Sequence, residues 1–136
     1  MGEFLVKAST FIVLLLSSFI TVPALASDFD GSRALICATV EARDCVIGSE
    51  CFTGHARKVG APPFLRIDFK NRVVAGTDRT SSITAMDKAE DQLLLQGAEV
   101  GYGWSIAIDQ ATGDFSASLT NKDGTFLLFG LCTTQD

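Results

Sequence analysis

Histidine is nearly absent from this chain of 136 residues, where His55 is the only one. It follows Cys51 closely enough for the two to share a metal, but a cysteine held in a disulfide cannot be a ligand, and one imidazole does not make a site. As a general base, His55 would need a nucleophile and an orienting acid that no local motif supplies. We therefore expect no metal, no cofactor and no enzymatic activity.

Two motifs that begin like functional sites are incomplete. Ser105 follows Gly103 but lacks the second glycine of a nucleophile elbow. Asp28, Asp30 and Ser32, which flank Phe29 and Gly31, resemble the start of a calcium loop, yet a third oxygen ligand before the glycine and a bidentate glutamate after it are missing. No local motif therefore identifies an activity.

Basic residues are too few to balance the acidic ones, since 11 Lys and Arg face 16 Asp and Glu for a net charge of −5. This excludes sequence-independent binding to nucleic acid and leaves proteins, small ligands and cell-envelope material as partners. Segment 51–80 is an exception, because its basic residues outnumber its acidic ones. It is either a solvated face or a docking patch for an anionic partner. Its basic residues are Arg57, Lys58, Arg66, Lys70, Arg72 and Arg79.

The chain also lacks an apolar run long enough to cross a bilayer. Residues 11–22 are apolar, but this is short of the roughly 20 residues that a spanning helix needs. Lys7 precedes the run, and Ala24 and Ala26 follow it at the positions that a signal peptidase requires. We predict a cleaved signal peptide over residues 1–26 and one mature domain over 27–136. The mature chain is expected to be monomeric, without a membrane anchor, and periplasmic or secreted.

Four cysteines are present, all of them in the predicted mature chain. An even number of cysteines in an exported domain indicates disulfides, and three pairings are possible in principle. Cys45 and Cys51 flank a Gly-Ser turn and would face each other across the neck of a hairpin. That leaves Cys37 with Cys132, which would join the first strand to the last.

Helical patterning is scarce, and only residues 85–92 have helix-forming composition. Alternation of apolar and polar residues predicts strands instead. Four strands are well defined, at 36–43, 64–70, 102–109 and 114–120. Weaker candidates are 51–57, 72–77, 80–85, 92–99 and 125–132. Eight or nine short strands in about 110 residues predict an all-β fold, namely a small antiparallel up-and-down barrel, with a two-sheet sandwich as the alternative.

The alternation also assigns faces to the first and last strands. Ile36, Ala38, Val40 and Ala42 are predicted to point inward, which places Cys37 outside. Cys132, its predicted disulfide partner, would then point outward as well, together with every second residue of the last strand. The expected outward residues are Phe126, Leu128 and Gly130, and the expected inward ones are Leu127, Phe129 and Leu131.

An outward stripe formed by Phe126 and Leu128 needs an explanation, because large apolar side chains are seldom left in water as a patch. Either residues 27–32 or the proline loop 60–63 covers it, or it is a contact surface for a partner. Tyr102 and Trp104 form a second aromatic pair, with their rings on one face and glycines beside them. They either fill the core or line a rim that admits a ligand.

Several segments of residues 35–132 carry a family resemblance: Cys37, Cys45, Cys51, Pro63-Phe64-Leu65-Arg66-Ile67-Asp68, Arg79-Thr80, Trp104-Ser105-Ile106-Ala107-Ile108-Asp109, Thr112-Gly113 and Phe129-Gly130-Leu131-Cys132. With them the chain resembles an uncharacterised group of small exported proteobacterial β-barrel proteins, a resemblance that implies no activity. More distantly, its layout of signal, eight-stranded barrel and terminal disulfide is similar to periplasmic C-type lysozyme inhibitors. The nearest counterpart of their Ser-Gly loop, Gln96-Gly97-Ala98-Glu99, lacks the serine, so no inhibitory residue carries over.

These observations favour an exported, non-enzymatic barrel that binds a protein or envelope partner, with an inhibitor-like role as one form of such binding. The binding residues expected for such a role are Phe126, Leu128, Arg57, Lys58, Arg66, Tyr102 and Trp104. The alternative is a carrier of a small apolar ligand inside the barrel. It ranks second because side chains such as Trp104 and Phe115 are expected to fill an eight-stranded interior. The presence of an internal cavity would reverse that order.

Overall fold

A computed structural model describes residues 27–135 of the chain. The predicted signal peptide, residues 1–26, lies outside the described residues. Nine strands and one short helix make up the regular structure of the described part. They are β1 (Leu35–Val46), β2 (Phe52–Gly54), α1 (Ala56–Val59), β3 (Phe64–Asp68), β4 (Val73–Ala75), β5 (Thr80–Lys88), β6 (Gln92–Glu99), β7 (Tyr102–Asp109), β8 (Asp114–Thr120) and β9 (Gly124–Thr134).

Eight of these strands close into an antiparallel barrel in the order β1-β3-β4-β5-β6-β7-β8-β9, and β9 pairs back onto β1. β1 is long enough to have two partners on its other side. Its first residues pair with β3, and Ala42 to Asp44 pair with β2, which belongs to a hairpin at the far end of β1. Each strand alternates residues between the interior and the solvent, as a barrel wall requires. The predicted all-β fold and the up-and-down barrel are confirmed.

Both predicted disulfides are present. Cys37 on β1 is bonded to Cys132 on β9 across directly paired positions, so the first and last barrel strands are covalently joined. Cys45 is bonded to Cys51 across the neck of the β1–β2 hairpin. No free cysteine remains among the described residues.

The face assigned to the first half of β1 is wrong. Leu35 and Cys37 are fully buried, whereas Val40 is 62 % exposed. The pairing of β1 with β9 shifts register between Thr39 and Glu41, so Val40 is an extra residue in a β-bulge. A bulge reverses the alternation of the residues that follow it, because one residue is added to a period of two. Ala42 is therefore buried, as predicted, although the residues before Val40 have the opposite orientation.

The assignment for β9 is wrong for the same reason. With Cys37 inside, Cys132 and Leu128 are buried too, and Leu128 has no exposed surface. Phe129 and Leu131, predicted inside, are instead exposed on the outer wall. No outward stripe of Phe126 and Leu128 exists, because Leu128 belongs to the core and Phe126 lines the interior cavity described below.

Residues 85–92, whose composition would allow at most a short turn of helix, are not helical. β5 continues to Lys88 and pairs with β6, with Met86 opposite Leu95, so the backbone groups of this segment are satisfied by a hairpin. The helix present in the described chain, α1, is a single turn that ends at Gly60. Gly60 has a left-handed φ of 76°, and the next amide, of Ala61, donates to the Ala56 carbonyl. This is a C-terminal cap that glycine readily forms.

Residues 27–33 close one end of the barrel. Phe29 packs against the core, and its ring lies so near Gly113 that a Cβ there would come within 2.6 Å of it. Lys88 Nζ pairs with Asp30 Oδ2 at 3.2 Å and ties the segment to the end of β5. This segment therefore covers the end of the barrel opposite to Phe126, rather than Phe126 itself.

Candidate ligand-binding cavity

The other end of the barrel is open. The turns of β4–β5, β6–β7 and β8–β9, the β1–β2 hairpin and α1 all lie at this end, because alternate turns of an up-and-down barrel share an end. Between them is a cavity of about 780 Å³ that extends into the barrel interior. Its volume falls within the range of about 300–1,000 Å³ that is typical of small-molecule sites.

Apolar and aromatic side chains form most of the cavity wall, and they come from β3, β4, β7, β8 and β9, from α1 and from the loop after it. Tyr102 and Phe126 have ring centroids 6.2 Å apart, which places an aromatic pair on the β7 and β9 side. The other apolar lining residues are Val59, Ala61, Pro62, Pro63, Leu65, Val74, Trp104, Ile106, Ala117 and Leu119.

Trp104 lies along the wall instead of filling the barrel. It sits on β7 directly opposite Gly97 on β6, and a Cβ at Gly97 would clash with the indole ring. Because glycine leaves this space, the ring crosses β6 and its Nε1 donates a 2.7 Å hydrogen bond to Ser81 Oγ on β5. The buried indole N–H is thereby satisfied, and the Ser81 hydroxyl in turn donates to the Ala98 carbonyl oxygen at 3.3 Å. This arrangement keeps the middle of the barrel open.

α1 and the proline loop after it form one side of the mouth. Thr39 holds the loop in place, since its hydroxyl donates to the Pro62 carbonyl and its amide to the Pro63 carbonyl, both at 2.9 Å. Ala61 is buried, and Val59 packs against the core from the same segment. The loop residues carry no backbone donor at Pro62 or Pro63, so they can line a cavity without leaving an unpaired amide.

Charged side chains stand around the mouth of this apolar cavity. Arg57 on α1, Asp78 and Arg79 in the β4–β5 turn, and Glu99 at the end of β6 all line it. Within the described part of the chain, none of the four takes part in an ion pair. They are therefore available to contact the polar end of a bound molecule.

The structure brings four of the predicted binding residues together and separates the other three. Arg57, Tyr102, Trp104 and Phe126 all line the cavity. Lys58 is exposed on α1 beside it, Arg66 points outward from the middle of β3, and Leu128 is in the core. The basic residues of segment 51–80 are thus spread over both ends and the outer wall, and do not form one patch.

Several lining residues were not predicted as site residues, notably Val59, Val74 and the proline loop. Val74 lies on a three-residue strand, too short to show a clear period, and Val59 is in the single helical turn. Gly60 and the two prolines do indicate an irregular segment. They do not indicate whether that segment folds over the barrel mouth or away from it.

A second, shallower concavity of about 380 Å³ lies on the outer wall of β1 and β9. Val40 at the bulge, Phe129 and Leu131 form its apolar surface, and the Arg43 guanidinium lies over the Phe129 ring at 5.7 Å. This outer patch is separated from the cavity by the barrel wall.

His55 is not among the residues that line the cavity. His55 is exposed just before α1, and no group of three or more potential metal ligands occurs in the part of the chain that the structure covers.

Among the same residues, no helix is long and apolar enough to span a membrane.

Comparisons with protein-family models, curated proteins and solved structures found no match to this chain.

Proposed function

We propose that this protein binds a small, predominantly apolar molecule in the open end of its barrel. The observation that carries the proposal is the 780 Å³ cavity, with mostly apolar and aromatic walls and with charged side chains at its mouth. Eight-stranded barrels have an interior of the size that holds one small ligand when core side chains do not fill it. Here the closed half is filled by residues such as Ile108 and Phe115, whereas Trp104 lies along the wall of the open half.

Export of the protein is part of the same proposal. The apolar leader with its small-residue cleavage site indicates secretion, and the two disulfides fit an oxidising compartment such as the periplasm. A non-enzymatic carrier in that compartment would move or sequester an apolar compound through an aqueous space.

Trp104 makes a direct test possible, because it is the only tryptophan of the chain and it lines the cavity. The mature protein is titrated with N-phenyl-1-naphthylamine, an apolar fluorophore that accepts energy from tryptophan. We expect saturable energy transfer from Trp104. Native mass spectrometry of protein purified from its own host is expected to show a retained small molecule.

The matched variants are Ala117→Phe and Ala107→Phe. Ala117 lines the cavity, so a phenyl ring there occupies the space of the ligand, whereas Ala107 alternates with the inward residues of β7 and points outward. We expect A117F to weaken binding about tenfold or more while A107F binds as the wild type does. Absence of saturable binding, or equal loss in both folded variants, would disprove the proposal.

Binding of a protein or envelope partner through the outer surface is the second candidate function. The observation that favours it is the outer patch, where Val40 and Leu131 are more than half exposed. Pull-down with Val40→Ser/Leu131→Ser as the negative control tests it. Retention of a partner by the wild type and not by this variant is the expected result.

A further inference from the structure

One carboxylate at the cavity mouth faces inward. Glu99 is the last residue of β6, it continues the alternation that places Leu93 and Leu95 in the core, and it lines the cavity. The residue is half-buried, and within the described chain its carboxylate takes part in no ion pair and accepts no hydrogen bond. Partial burial of a charge without a partner costs desolvation and gains nothing for folding in return. The position of Glu99 therefore calls for another explanation.

Two aromatic rings lie beside this carboxylate. Glu99 is paired directly with Tyr102 across β6 and β7, so the two side chains share a face and their Cβ atoms are about 5 Å apart. The centroid of the Tyr102 ring is 6.2 Å from that of the Phe126 ring, and the two planes make an angle of 39°. The faces of such rings are negative and attract cations, more strongly where water is displaced. Glu99, Tyr102 and Phe126 thus form a negative wall of the mouth.

The other charges that line the mouth do not cancel the negative wall. Arg57 lies on α1, just before β3, and β3 is opposite β7 in the barrel because three strands separate them in either direction. Asp78 and Arg79 are consecutive in the β4–β5 turn, so this turn has no net charge. All three residues are exposed, whereas Glu99 is half-buried, and water and salt screen exposed charges more strongly.

The wider open end does not repel a cation either. Among its described residues, carboxylates are at least as many as basic side chains, and the Lys122 ammonium pairs with Asp123 at 2.6 Å. The net charge of the whole chain, −5, favours the approach of a cation as well. The carboxylates of this end are those of Asp44, Glu50, Asp78, Glu99 and Asp123, and the basic residues are Arg57, Lys58, Arg79 and Lys122.

We propose that the ligand of the cavity is an amphipathic cation, whose ammonium group lies against the negative wall while its apolar part enters the barrel. This inference rests on the proposed ligand-binding function and names the class of compound. The Glu99 carboxylate supplies the counter-charge, and the rings of Tyr102 and Phe126 surround an ammonium group without offering it a competing donor. A neutral or anionic compound with the same apolar part lacks this contact and should bind more weakly.

Binding of three matched compounds tests the charge preference. The mature protein is titrated by isothermal calorimetry with octyltrimethylammonium, octanol and octanoate, which share an alkyl chain and differ in charge. All are used below the concentrations at which they form micelles. We expect octyltrimethylammonium to bind about tenfold more tightly than octanol, and octanoate to bind most weakly.

The matched variants are Glu99→Gln and Asp78→Asn. Each removes one carboxylate charge from the cavity mouth with almost no change in size, but only Glu99 is paired with an aromatic residue. We expect E99Q to bind octyltrimethylammonium about tenfold more weakly and octanol unchanged, whereas D78N should bind all three compounds as the wild type does. Thermal unfolding checks that both variants fold.

Four results would overturn the inference. They are no tighter binding of octyltrimethylammonium than of octanol, tightest binding of octanoate, equal loss of octyltrimethylammonium affinity in E99Q and D78N, and equal loss of octanol and octyltrimethylammonium affinity in E99Q. The last result would mean that Glu99 shapes the cavity instead of selecting charge.

Titration of the same samples with N-phenyl-1-naphthylamine tests the ligand-binding function separately. Saturable binding of this fluorophore without a preference for octyltrimethylammonium would leave that function standing and refute the cation preference. Absence of binding by the fluorophore and by all three octyl compounds would refute both.

Discussion

The position of one indole ring determines whether this barrel is filled or open. Trp104 can lie along the wall because Gly97 provides no side chain beneath it and Ser81 accepts its N–H. With a larger residue at position 97 the ring would have to swing into the interior. The cavity therefore depends on a glycine that forms no part of its surface.

Replacement of Gly97 by alanine is expected to destabilise the protein by about 3 kcal/mol. The new Cβ would clash with the Trp104 ring and lie 2.5 Å from the Ser82 carbonyl oxygen, so backbone as well as side chain must move. Gly103→Ala is the control, because a Cβ at Gly103 meets nothing within 4 Å, and we expect a change within about 0.5 kcal/mol. Urea denaturation measures both, and a similar effect of the two substitutions would contradict this explanation.

Asp30 makes the closure of the barrel end sensitive to acid. Hydrogen bonds from the side chain and backbone of Ser32, together with the nearby Lys88, lower the pKa of Asp30 from 3.8 to about 2. Because the pKa is lower in the folded state, the ionised carboxylate stabilises the fold above pH 3.8, and this contribution is lost as the pH falls towards 2.

We accordingly expect Asp30→Asn to be less stable than the wild type at neutral pH, with the difference shrinking between about pH 4 and about pH 2. Thermal unfolding across this pH range is the measurement. Asp68 and Asp109 also have lowered pKa values, owing to backbone hydrogen bonds in their turns, and they remain in both proteins as an internal control. A difference that stays constant down to pH 2 would rule out this role for Asp30.

At the scale of the element, β1 shows where reasoning from periodicity fails. Its sequence alternates cleanly, yet the residues on either side of Val40 belong to different registers because of the bulge. A bulge changes no apolar residue to a polar one, so the composition of the strand gives no sign of it. By contrast, β3, β7 and β8 pair without a register shift, and buried residues alternate with more exposed ones along them as a regular strand requires.

The two disulfides stabilise elements of very different size. Cys37 and Cys132 are 95 positions apart, and in the chain-entropy model a loop of that length corresponds to about 4–5 kcal/mol. Cys45 and Cys51 are 6 positions apart, which corresponds to about 2–3 kcal/mol. We expect Cys37→Ala/Cys132→Ala to lower the unfolding free energy more than Cys45→Ala/Cys51→Ala does. Denaturation of the two double variants side by side checks the order, and equal losses would contradict it.

At the scale of the whole molecule, the barrel has two unlike ends. Residues 27–33 seal one end with Phe29, and the other opens between α1 and the strand turns. A ligand that enters the open end binds the folded state and not the unfolded chain. It should therefore raise the stability of the whole domain by mass action.

At a ligand concentration about a hundred times its dissociation constant, the expected gain is about 2.7 kcal/mol. For a domain of this size that corresponds to a rise in melting temperature of about 10 °C. Differential scanning fluorimetry against a panel of apolar compounds measures it. A117F should show no rise with any compound that stabilises the wild type, and a rise of equal size in A117F would place the ligand outside the cavity.

Local alternation, turn residues and cysteine spacing were enough to predict an all-β barrel and both disulfides, whereas the pairing of β3 with β1 beside the β1–β2 hairpin was not predicted. Four of the binding residues predicted from the sequence line the cavity, namely Arg57, Tyr102, Trp104 and Phe126. Only the tertiary structure decided that the barrel is open at one end. That outcome depends on contacts between distant residues: the bulge that turns Leu128 inward, the segment around Phe29 that seals the far end, and the glycine that lets one indole lie against the wall.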